Sequence, residues 1–137
     1  MRRRAVLILA TVVLGVLLAS GVALAATITG TSGPNTLIGT PNVDTIYGLG
    51  GADFIAGRAS GDDLYGDGGN DEVRGNAGCD YISGGRGSED LYGGRGSDWI
   101  EAADGVQDYV NCGRGDNDTA SVDDLDIVEP NTCETLL

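Results

Sequence analysis

The sequence predicts an all-β fold: a parallel β-roll, that is, a right-handed β-solenoid of nonapeptide repeats with an irregular C-terminal cap. Three observations predict it. From Gly30 to Glu101 the chain repeats every nine residues, eight times, with glycine at the first position of every copy. The sixth position holds an acidic residue or its amide, and the eighth holds a branched aliphatic residue. Three chemically different columns that stay in phase indicate one repeated structural unit.

Residues 1–25 have the features of a secretory signal peptide. Three arginines follow Met1, an apolar run extends from Ala5 to Ala25, and the run ends in Ala23-Leu24-Ala25, the small-x-small pattern that signal peptidase reads. An uncleaved membrane anchor is the alternative, because about twenty apolar residues can span a bilayer. The cleavage pattern favours removal after Ala25. We therefore expect a secreted, extracellular protein that has no membrane contact once the signal is cleaved.

The charge balance limits the classes of partner. The chain has 21 acidic and 8 basic residues, a formal net charge of −13. The acids recur periodically instead of forming blocks, which argues against plain disorder. So acidic a surface repels nucleic acid and anionic lipid, and it attracts divalent cations. Divalent cations are therefore expected as partners, and nucleic acid is not.

The repeat block, residues 26–101, is expected to consist of tight turns that alternate with very short strands. Glycine at the first position, and glycine, asparagine or serine at the fourth, suggest a turn that needs positive φ. The aliphatic residue at the eighth position points inward, and its two neighbours point outward. One copy cannot bury its aliphatic side chain alone. Two copies should therefore form an eighteen-residue coil with a strand on each side of a shared core.

An eighteen-residue coil decides which acidic side chains become neighbours. One edge of the solenoid receives Asp44, Asp62, Asp80 and Asp98, and the other receives Asn35, Asp53, Asp71 and Glu89. Carboxylates one coil apart, roughly 4.8 Å along the axis, repel each other unless a cation lies between them. A hard cation with oxygen ligands removes this repulsion, and carbonyls of the glycine-rich turns can complete its shell. A roll without bound cations would leave the acidic columns unexplained.

Two copies carry nearly the whole pattern G-G-x-G-x-D-x-U-x: residues 66–74 read GDGGNDEVR, and residues 93–101 read GGRGSDWIE. On these residues the chain resembles the repeats-in-toxin (RTX) calcium-binding family. The resemblance covers residues 30–101, with a weaker echo at Asp108 and Val110. It implies a β-roll in which turn carboxylates and backbone carbonyls bind several Ca²⁺ ions between coils. Carried over by position, the metal ligands are Asp44, Asp53, Asp62, Asp71, Asp80, Glu89 and Asp98. Asn35, which is neutral, and Glu89, which is longer, depart from the pattern.

Residues 102–137 are predicted to form a degenerate repeat and a disulfide-bonded cap, because repeat arrays need atypical ends. An apolar lid is expected from Val122, Leu125, Ile127 and Val128. Cys112 and Cys133 bracket this lid and are expected to form a disulfide in an exported chain. Cys79 is the odd cysteine: a free thiol, an intermolecular link and a partner of one of the other two all stay open. The sequence does not choose among the three pairings.

The sequence predicts a binding protein and not an enzyme, with no catalytic residues. Without histidine or lysine there is no Ser-His-Asp or Ser-Lys arrangement, and Cys79 has no histidine to activate it. The leading hypothesis is a secreted calcium-binding repeat protein in which binding is coupled to folding, because the core is small. The alternative is an extracellular structural or adhesive module that binds a glycan or cell surface through Tyr47, Tyr65 and Tyr92. A small β-helical polysaccharide lyase is a further alternative, against which the short coil argues.

Overall fold

The computed structural model describes residues 24–137, and in that range the chain forms short strands joined by turns. The strands are β1 (Ala26–Thr29), β2 (Thr36–Ile38), β3 (Asp44–Tyr47), β4 (Phe54–Ala59), β5 (Asp63–Tyr65), β6 (Glu72–Ala77), β7 (Tyr81–Ser83), β8 (Asp90–Arg95), β9 (Trp99–Glu101), β10 (Tyr109–Arg114), β11 (Thr119–Ser121), β12 (Ile127–Val128) and β13 (Thr135–Leu136). Residues 1–23 of the predicted signal peptide lie outside the described residues, so the signal peptide stays a prediction. Among residues 24–137 no helix is long and apolar enough to cross a membrane.

The strands alternate between two parallel sheets. The seven odd-numbered strands form one sheet, in the order β1-β3-β5-β7-β9-β11-β13, and the six even-numbered strands form the other, in the order β12-β10-β8-β6-β4-β2. Within the repeat block each residue pairs with the residue eighteen positions later, for example Ile46 with Leu64 and Ile55 with Val73. This register winds the chain into about six coils and confirms the predicted parallel β-roll.

The core consists of two facing rows of aliphatic side chains from the eighth positions. Seven of them are completely buried: Ile46, Ile55, Leu64, Val73, Ile82, Leu91 and Ile100. Their branched side chains suit a strand, and they point inward because side chains alternate along a strand. The rows continue into Val110 and Ala120 after the repeat block. Each coil adds only two such side chains, so little apolar surface is buried per residue.

The backbone of the turns corrects one expectation. Positive φ occurs at the second and fourth positions of the copies, and the prediction that the first-position glycines need it is wrong. The second position holds residues other than glycine in this region: Leu49 (φ 73°), Arg58 (φ 90°), Asp67 (φ 69°) and Asn76 (φ 79°). At the fourth position Gly69 has a φ of 124° and Ser60 a φ of 74°. The first-position glycines are therefore required because there is no room for a side chain beside them.

Both sheets continue past Glu101, but the coils there differ in length. Tyr109 of β10 pairs with Asp90, 19 residues earlier, and Thr119 of β11 pairs with Trp99, 20 residues earlier. The additional residues lie in the turns, so the pairing of the strands is kept. The chain therefore tolerates insertions in a turn without losing the parallel register of either sheet.

The predicted apolar lid is only partly formed. Val122 and Val128 pack against the core, as expected. Leu125 and Ile127 were also assigned to the lid, and for them the prediction is wrong, because both are about half exposed. Ile127 precedes Val128 in β12, and alternation along the strand turns it outward. Leu125 lies in the turn that the Asp126 N–H closes on the Asp123 carbonyl (3.2 Å).

The structure resolves the pairing of the cysteines. Cys112 and Cys133 form the disulfide, with their Cα atoms 5.1 Å apart. Cys79 is a free, exposed thiol on a turn of the repeat block. Of the three pairings that the sequence leaves open, the expected one is present, and it joins β10 to the last turn of the chain.

Candidate metal centre

Nine acidic side chains are almost completely buried, with at most 3% of their surface exposed. Seven of them are the predicted ligands: Asp44, Asp53, Asp62, Asp71, Asp80, Glu89 and Asp98. The other two, Asp108 and Asp118, follow the repeat block and were not predicted as ligands. Their spacing could have identified them, because each precedes a buried apolar residue, Val110 or Ala120, by two positions. Carboxylates are rarely buried without a partner, so this arrangement requires an explanation.

One oxygen of each carboxylate on the first edge is held by the preceding coil. The backbone N–H of Asp44 donates to Oδ1 of Asp62 (2.8 Å), and the N–H of Asp62 donates to Oδ1 of Asp80 (2.9 Å). The same bond joins Asp80 to Asp98 (2.9 Å) and Asp98 to Asp118 (2.7 Å). These bonds orient every carboxylate of the column in the same way, so that the second oxygen points toward the neighbouring turn.

The second edge repeats this arrangement with one interruption. The N–H of Asn35 donates to Oδ1 of Asp53 (2.7 Å), and the N–H of Asp53 donates to Oδ1 of Asp71 (2.8 Å). Among the described residues, the N–H of Asp71 makes no such bond to Glu89. The additional methylene of glutamate moves the carboxylate away from the position that aspartate takes. The column resumes at the next coil, where the N–H of Glu89 donates to Oδ1 of Asp108 (2.8 Å).

The second oxygen of most of these carboxylates has no hydrogen-bond partner in the described part of the chain. These buried atoms are Oδ2 of Asp53, Asp62, Asp71, Asp80, Asp98, Asp108 and Asp118, and both oxygens of Glu89. A buried charged oxygen without a partner costs several kcal/mol, of the order found for uncompensated ions, unless it is neutralised or binds a cation. In the described part of the chain, these second oxygens are therefore acceptors without a donor.

The unpartnered oxygens border gaps that only glycine leaves open. A Cβ atom on Gly48 would lie 2.7 Å from Oδ2 of Asp53 and 2.5 Å from the carbonyl oxygen of Gly66, one coil further along. A Cβ atom on Gly75 would meet Oδ2 of Asp80 and would lie 2.6 Å from the carbonyl oxygen of Gly93. Carboxylate and carbonyl oxygens thus converge on one point between the coils. Lack of space, and not positive φ, therefore explains the first-position glycines; at Gly84 the atoms that crowd a Cβ belong to the side chains of Glu89 and Leu91 instead.

Burial raises the pKa of several of these carboxyl groups above the ordinary value. Desolvation raises the pKa of Asp80 to about 7, and the neighbouring Asp98 and Asp62 carboxylates raise it further against the opposing hydrogen bond from the Asp62 N–H. Desolvation likewise raises the pKa of Asp71 to about 6. The pKa of Glu89 is raised by burial and by the charge of Asp108 beside it. Without a cation, the columns therefore resist ionisation.

The first two copies differ from the later ones. Thr40 occupies the second position of its copy, and its N–H donates to Oδ2 of Asp44 (2.5 Å). Thr31 does the same for Oδ1 of Asn35 (2.6 Å). Asp44 therefore lies in the column where it was predicted, but both of its oxygens have protein partners. The N-terminal turns are satisfied without a cation, whereas the later turns are not.

The donor set is mixed. In residues 24–137 no three acidic or cysteine side chains meet at a single point. A cation between two coils would therefore be held by carboxylate and backbone carbonyl oxygens together. Calcium accepts six to eight such oxygens with flexible geometry, whereas magnesium demands near-octahedral geometry and retains water. The residues present fit calcium on the chemistry of their oxygens and on the gap that the first-position glycines leave.

The aromatic side chains predicted for an adhesive surface mostly pack on each other. The rings of Tyr47 and Tyr65 stack with their centroids 5.0 Å apart, and Tyr81 follows at 5.7 Å. Tyr92 lies on the other sheet, with Tyr109 as its neighbour at 5.8 Å. A stacked ring does not present that face to a sugar, so the tyrosines act mainly as cross-strand pairs that stabilise the sheets.

Comparison with protein families identifies the repeat. The family model of the RTX calcium-binding nonapeptide repeat matches in four copies, at residues 29–64, 56–88, 65–100 and 83–106. Together the copies cover residues 29–106, more than half of the 137 residues. Comparison with curated proteins and with solved structures gives no match. The matched range contains all seven predicted ligands and ends before Asp108 and Asp118.

Proposed function

Because the chain belongs to the RTX calcium-binding nonapeptide repeat family, we propose that it is a secreted protein whose turns bind several Ca²⁺ ions between adjacent coils and whose folding depends on them. The observation that carries the proposal is the row of buried carboxylate oxygens without partners. Five of them face a backbone carbonyl across a glycine-lined gap, namely Oδ2 of Asp53, Asp62, Asp71, Asp80 and Asp98. A repeat that binds calcium as part of its structure needs no catalytic residue, and we propose none.

The proposed ligands are the sixth-position carboxylates Asp53, Asp62, Asp71, Asp80, Glu89 and Asp98, together with carbonyls of the first-position glycines. Asp44 is included as a weaker ligand, because a cation there competes with the Thr40 N–H for Oδ2. Glu89 is included because both of its oxygens are buried and without partners. In each gap, the bound cation supplies positive charge that this acidic chain lacks.

Folding should depend on calcium because the folded roll gains little from apolar burial and loses free energy by burying carboxylates. The interior receives only two aliphatic side chains per coil, whereas each coil also buries two carboxylates. In the unfolded chain these carboxylates stay hydrated, so the desolvation cost arises only on folding. A cation that binds the folded roll and not the unfolded chain adds stability of RT ln(1 + [L]/Kd) for each site. We therefore propose that the roll forms when calcium is supplied.

Secretion is supported by two observations. Residues 1–25 have the composition of a signal peptide, and the Cys112–Cys133 disulfide suits an oxidising compartment. N-terminal sequencing of the protein recovered outside the cell tests this part of the proposal. A chain that begins at Ala26 is the expected result, and a chain that begins at Met1 and stays with the membrane would contradict it.

Circular dichroism of the purified protein during a calcium titration tests the coupling. The β signal should grow as calcium is added and should disappear when a chelator removes it, whereas the same ionic strength of a sodium salt should have little effect. A β signal that persists in chelator would contradict the coupling. Calorimetry that detects no calcium binding at all would contradict the function itself.

The aromatic surface gives the adhesive alternative little support, because Tyr47 and Tyr65 cover each other. Trp99 is the exception, with 43% of its surface exposed on the same sheet. One exposed ring is a small platform for a glycan. A pull-down with polysaccharides, in which binding is lost on changing Trp99 to Ala, would be the result that favours this alternative.

A further inference from the structure

One column of first-position residues ends in a cysteine. Gly57, Gly75 and Gly93 follow one another at intervals of one coil, and a Cβ on Gly75 would lie 2.6 Å from the carbonyl oxygen of Gly93. A Cβ on Gly93 would meet the carbonyl oxygen of Cys112 in the same way. Cys112 therefore takes the next place in the column, and its carbonyl takes the role that a glycine carbonyl has in the coils before it.

The gap between Gly93 and Cys112 has the features of the earlier gaps. Oδ2 of Asp98 lies 2.5 Å from the position of a Cβ on Gly93, beside the Cys112 carbonyl. Asp98 is only 2% exposed, and this oxygen has no hydrogen-bond partner in the described part of the chain. Its Oδ1 is held by the N–H of Asp80, so the free oxygen is oriented into the gap. The family match ends at residue 106 and does not include Cys112.

The disulfide lies at the next step of this column. Cys112 has a side chain where the earlier residues of the column have only hydrogen, and that side chain is completely buried. It is bonded to Cys133, whose Cα lies 5.1 Å away, close to the roughly 4.8 Å that separates adjacent coils. The Cys112 N–H donates to Oγ1 of Thr132 (3.3 Å), whereas the N–H of Gly39 donates to the Ala56 carbonyl of the next coil (2.8 Å). Thr132 and Cys133 thus occupy the place of the next coil.

We propose that the gap bordered by Asp98 Oδ2 and the Cys112 carbonyl is a calcium site, and that the Cys112–Cys133 disulfide holds that carbonyl in place. The inference rests on the proposed calcium binding and adds a dependence on two cysteines that lie outside the residues of the family match. Calcium at this end of the roll depends on the oxidation state of two cysteines, whereas calcium on the opposite edge does not.

A trialkylphosphine reduces the bridge and releases the coil that follows Cys112. Phosphorus attacks one Sγ, the S–S bond breaks, and two electrons pass from phosphorus to sulfur. Water then supplies the oxygen of the phosphine oxide, and its two protons end on the Sγ atoms of Cys112 and Cys133. Without the bridge, the last turn is held by side-chain hydrogen bonds such as that from Asp118 N–H to Glu134 Oε2 (2.7 Å) and by the short strands β12 and β13, which have two residues each.

The test compares the number of calcium ions bound before and after reduction, measured by titration calorimetry on the purified protein. All variants contain Cys79→Ser, so that the free thiol cannot form a new pair. Asp98→Asn removes the charge from the proposed site. Asp53→Asn is the matched control, because Asp53 is an equally buried column residue whose Oδ1 is held and whose Oδ2 is free, on the opposite edge.

Reduction should remove one ion, or weaken its binding by about tenfold or more, in the parent protein and equally in Asp53→Asn. It should have no further effect in Asp98→Asn, because the site is already lost there. An unchanged number of ions in the reduced parent would overturn the inference, as would an equal effect of reduction in the two variants. If the oxidised parent binds no calcium, the proposed function itself fails, which is a separate result.

A measurement on the parent protein keeps the test decisive if a variant folds poorly. Trp99 is the single tryptophan, it follows Asp98 directly, and it pairs with Thr119 of the next coil. Terbium bound at this end of the roll should therefore emit when the indole is excited at wavelengths that tyrosine does not absorb. Reduction should lower this emission, and emission unchanged by reduction would overturn the inference.

Discussion

At the scale of the residue, the glycines at the first position decide whether oxygens of two coils can share a cation. At Gly66, a Cβ atom would meet the carbonyl oxygen of Gly84 and would lie 2.7 Å from Oδ2 of Asp71. Both atoms are held in place. Gly84 follows strand β7 directly and its N–H donates to the Glu101 carbonyl (3.0 Å), and the Asp71 carboxylate accepts the Asp53 N–H (2.8 Å). Glycine is therefore required for a steric reason, because any side chain would enter the gap between the coils.

Changing Gly66 to Ala should weaken calcium binding by about tenfold or more, equivalent to about 1.4 kcal/mol at that site. The methyl group occupies the space between Asp71 and the next coil. Gly33→Ala is the matched control, because a Cβ atom there meets nothing within 4 Å. Calorimetric titration of both variants checks the prediction, and equal affinities in the two would contradict it.

Asp71→Asn should have opposite effects with and without calcium. In calcium the variant should be less stable than the parent, because a charged ligand is lost. In chelator it should be more stable, because the amide avoids the cost of a buried charge while its oxygen can still accept the Asp53 N–H. Urea unfolding in both buffers measures the two effects. Asp124→Asn, an exposed control, should change neither, and a loss of stability for Asp71→Asn in chelator would contradict the argument.

At the scale of the element, each turn from the third copy to the eighth contains two residues with positive φ, and several of these copies hold a non-glycine residue there. Leu49 has a φ of 73° with about half of its side chain exposed. A left-handed conformation costs a residue with a Cβ about 1–2 kcal/mol. The turns are thus strained at the second position, whereas the family pattern places a second glycine there, as Gly85 and Gly94 do.

Leu49→Gly should stabilise the calcium-bound roll relative to Leu49→Ala by about 1 kcal/mol. Both changes remove the same exposed side chain, but only glycine relieves the strained φ. Thermal unfolding of the two variants in saturating calcium gives the difference. A higher melting temperature for Leu49→Ala would show that the conformation of this turn is not a source of strain.

At the scale of the whole molecule, the protein stacks two columns of buried acid inside an acidic chain with a net charge of −13. The stability of such a roll should depend on pH as well as on calcium. Burial raises the pKa of Asp71 to about 6 and that of Asp80 to about 7, above their ordinary value of 3.8. Between pH 3.8 and these raised pKa values, the folded chain binds more protons than the unfolded chain.

Without calcium, the roll should therefore be most stable in acid and should lose stability as the pH rises through about 6 to about 7. The favourable contribution of a raised pKa is complete below 3.8 and disappears above the folded value. Protons and calcium compete for the same oxygens, so calcium affinity should rise over the same pH range. Unfolding in chelator and calcium titration at pH values on both sides of this range check both trends. An ion-free roll that gains stability with rising pH would contradict the assignment.

Much of this arrangement is predictable from the sequence, because the repeat contains it. The columns at positions one, six and eight specify the eighteen-residue register, the buried aliphatic row and the neighbours of Asp62 and Asp80. The reason for the first-position glycines is not predictable in this way, because conformational freedom and lack of space both favour glycine. Asp118 was missed because insertions in the turns shift it out of phase, and its place depends on the pairing of β11 with β9.

The coils also have a consequence for how the chain can change in length. Every pairing in the repeat block joins a coil only to the coils before and after it, and each nonapeptide supplies the same three columns. Duplication or loss of nine residues keeps the reading of glycine, carboxylate and aliphatic positions, and merely transfers the later strands to the opposite sheet. Cys112 and Cys133 both follow the repeat block, so such an event leaves the disulfide-bonded C-terminal cap unchanged. The number of repeats can therefore change in evolution without a new cap.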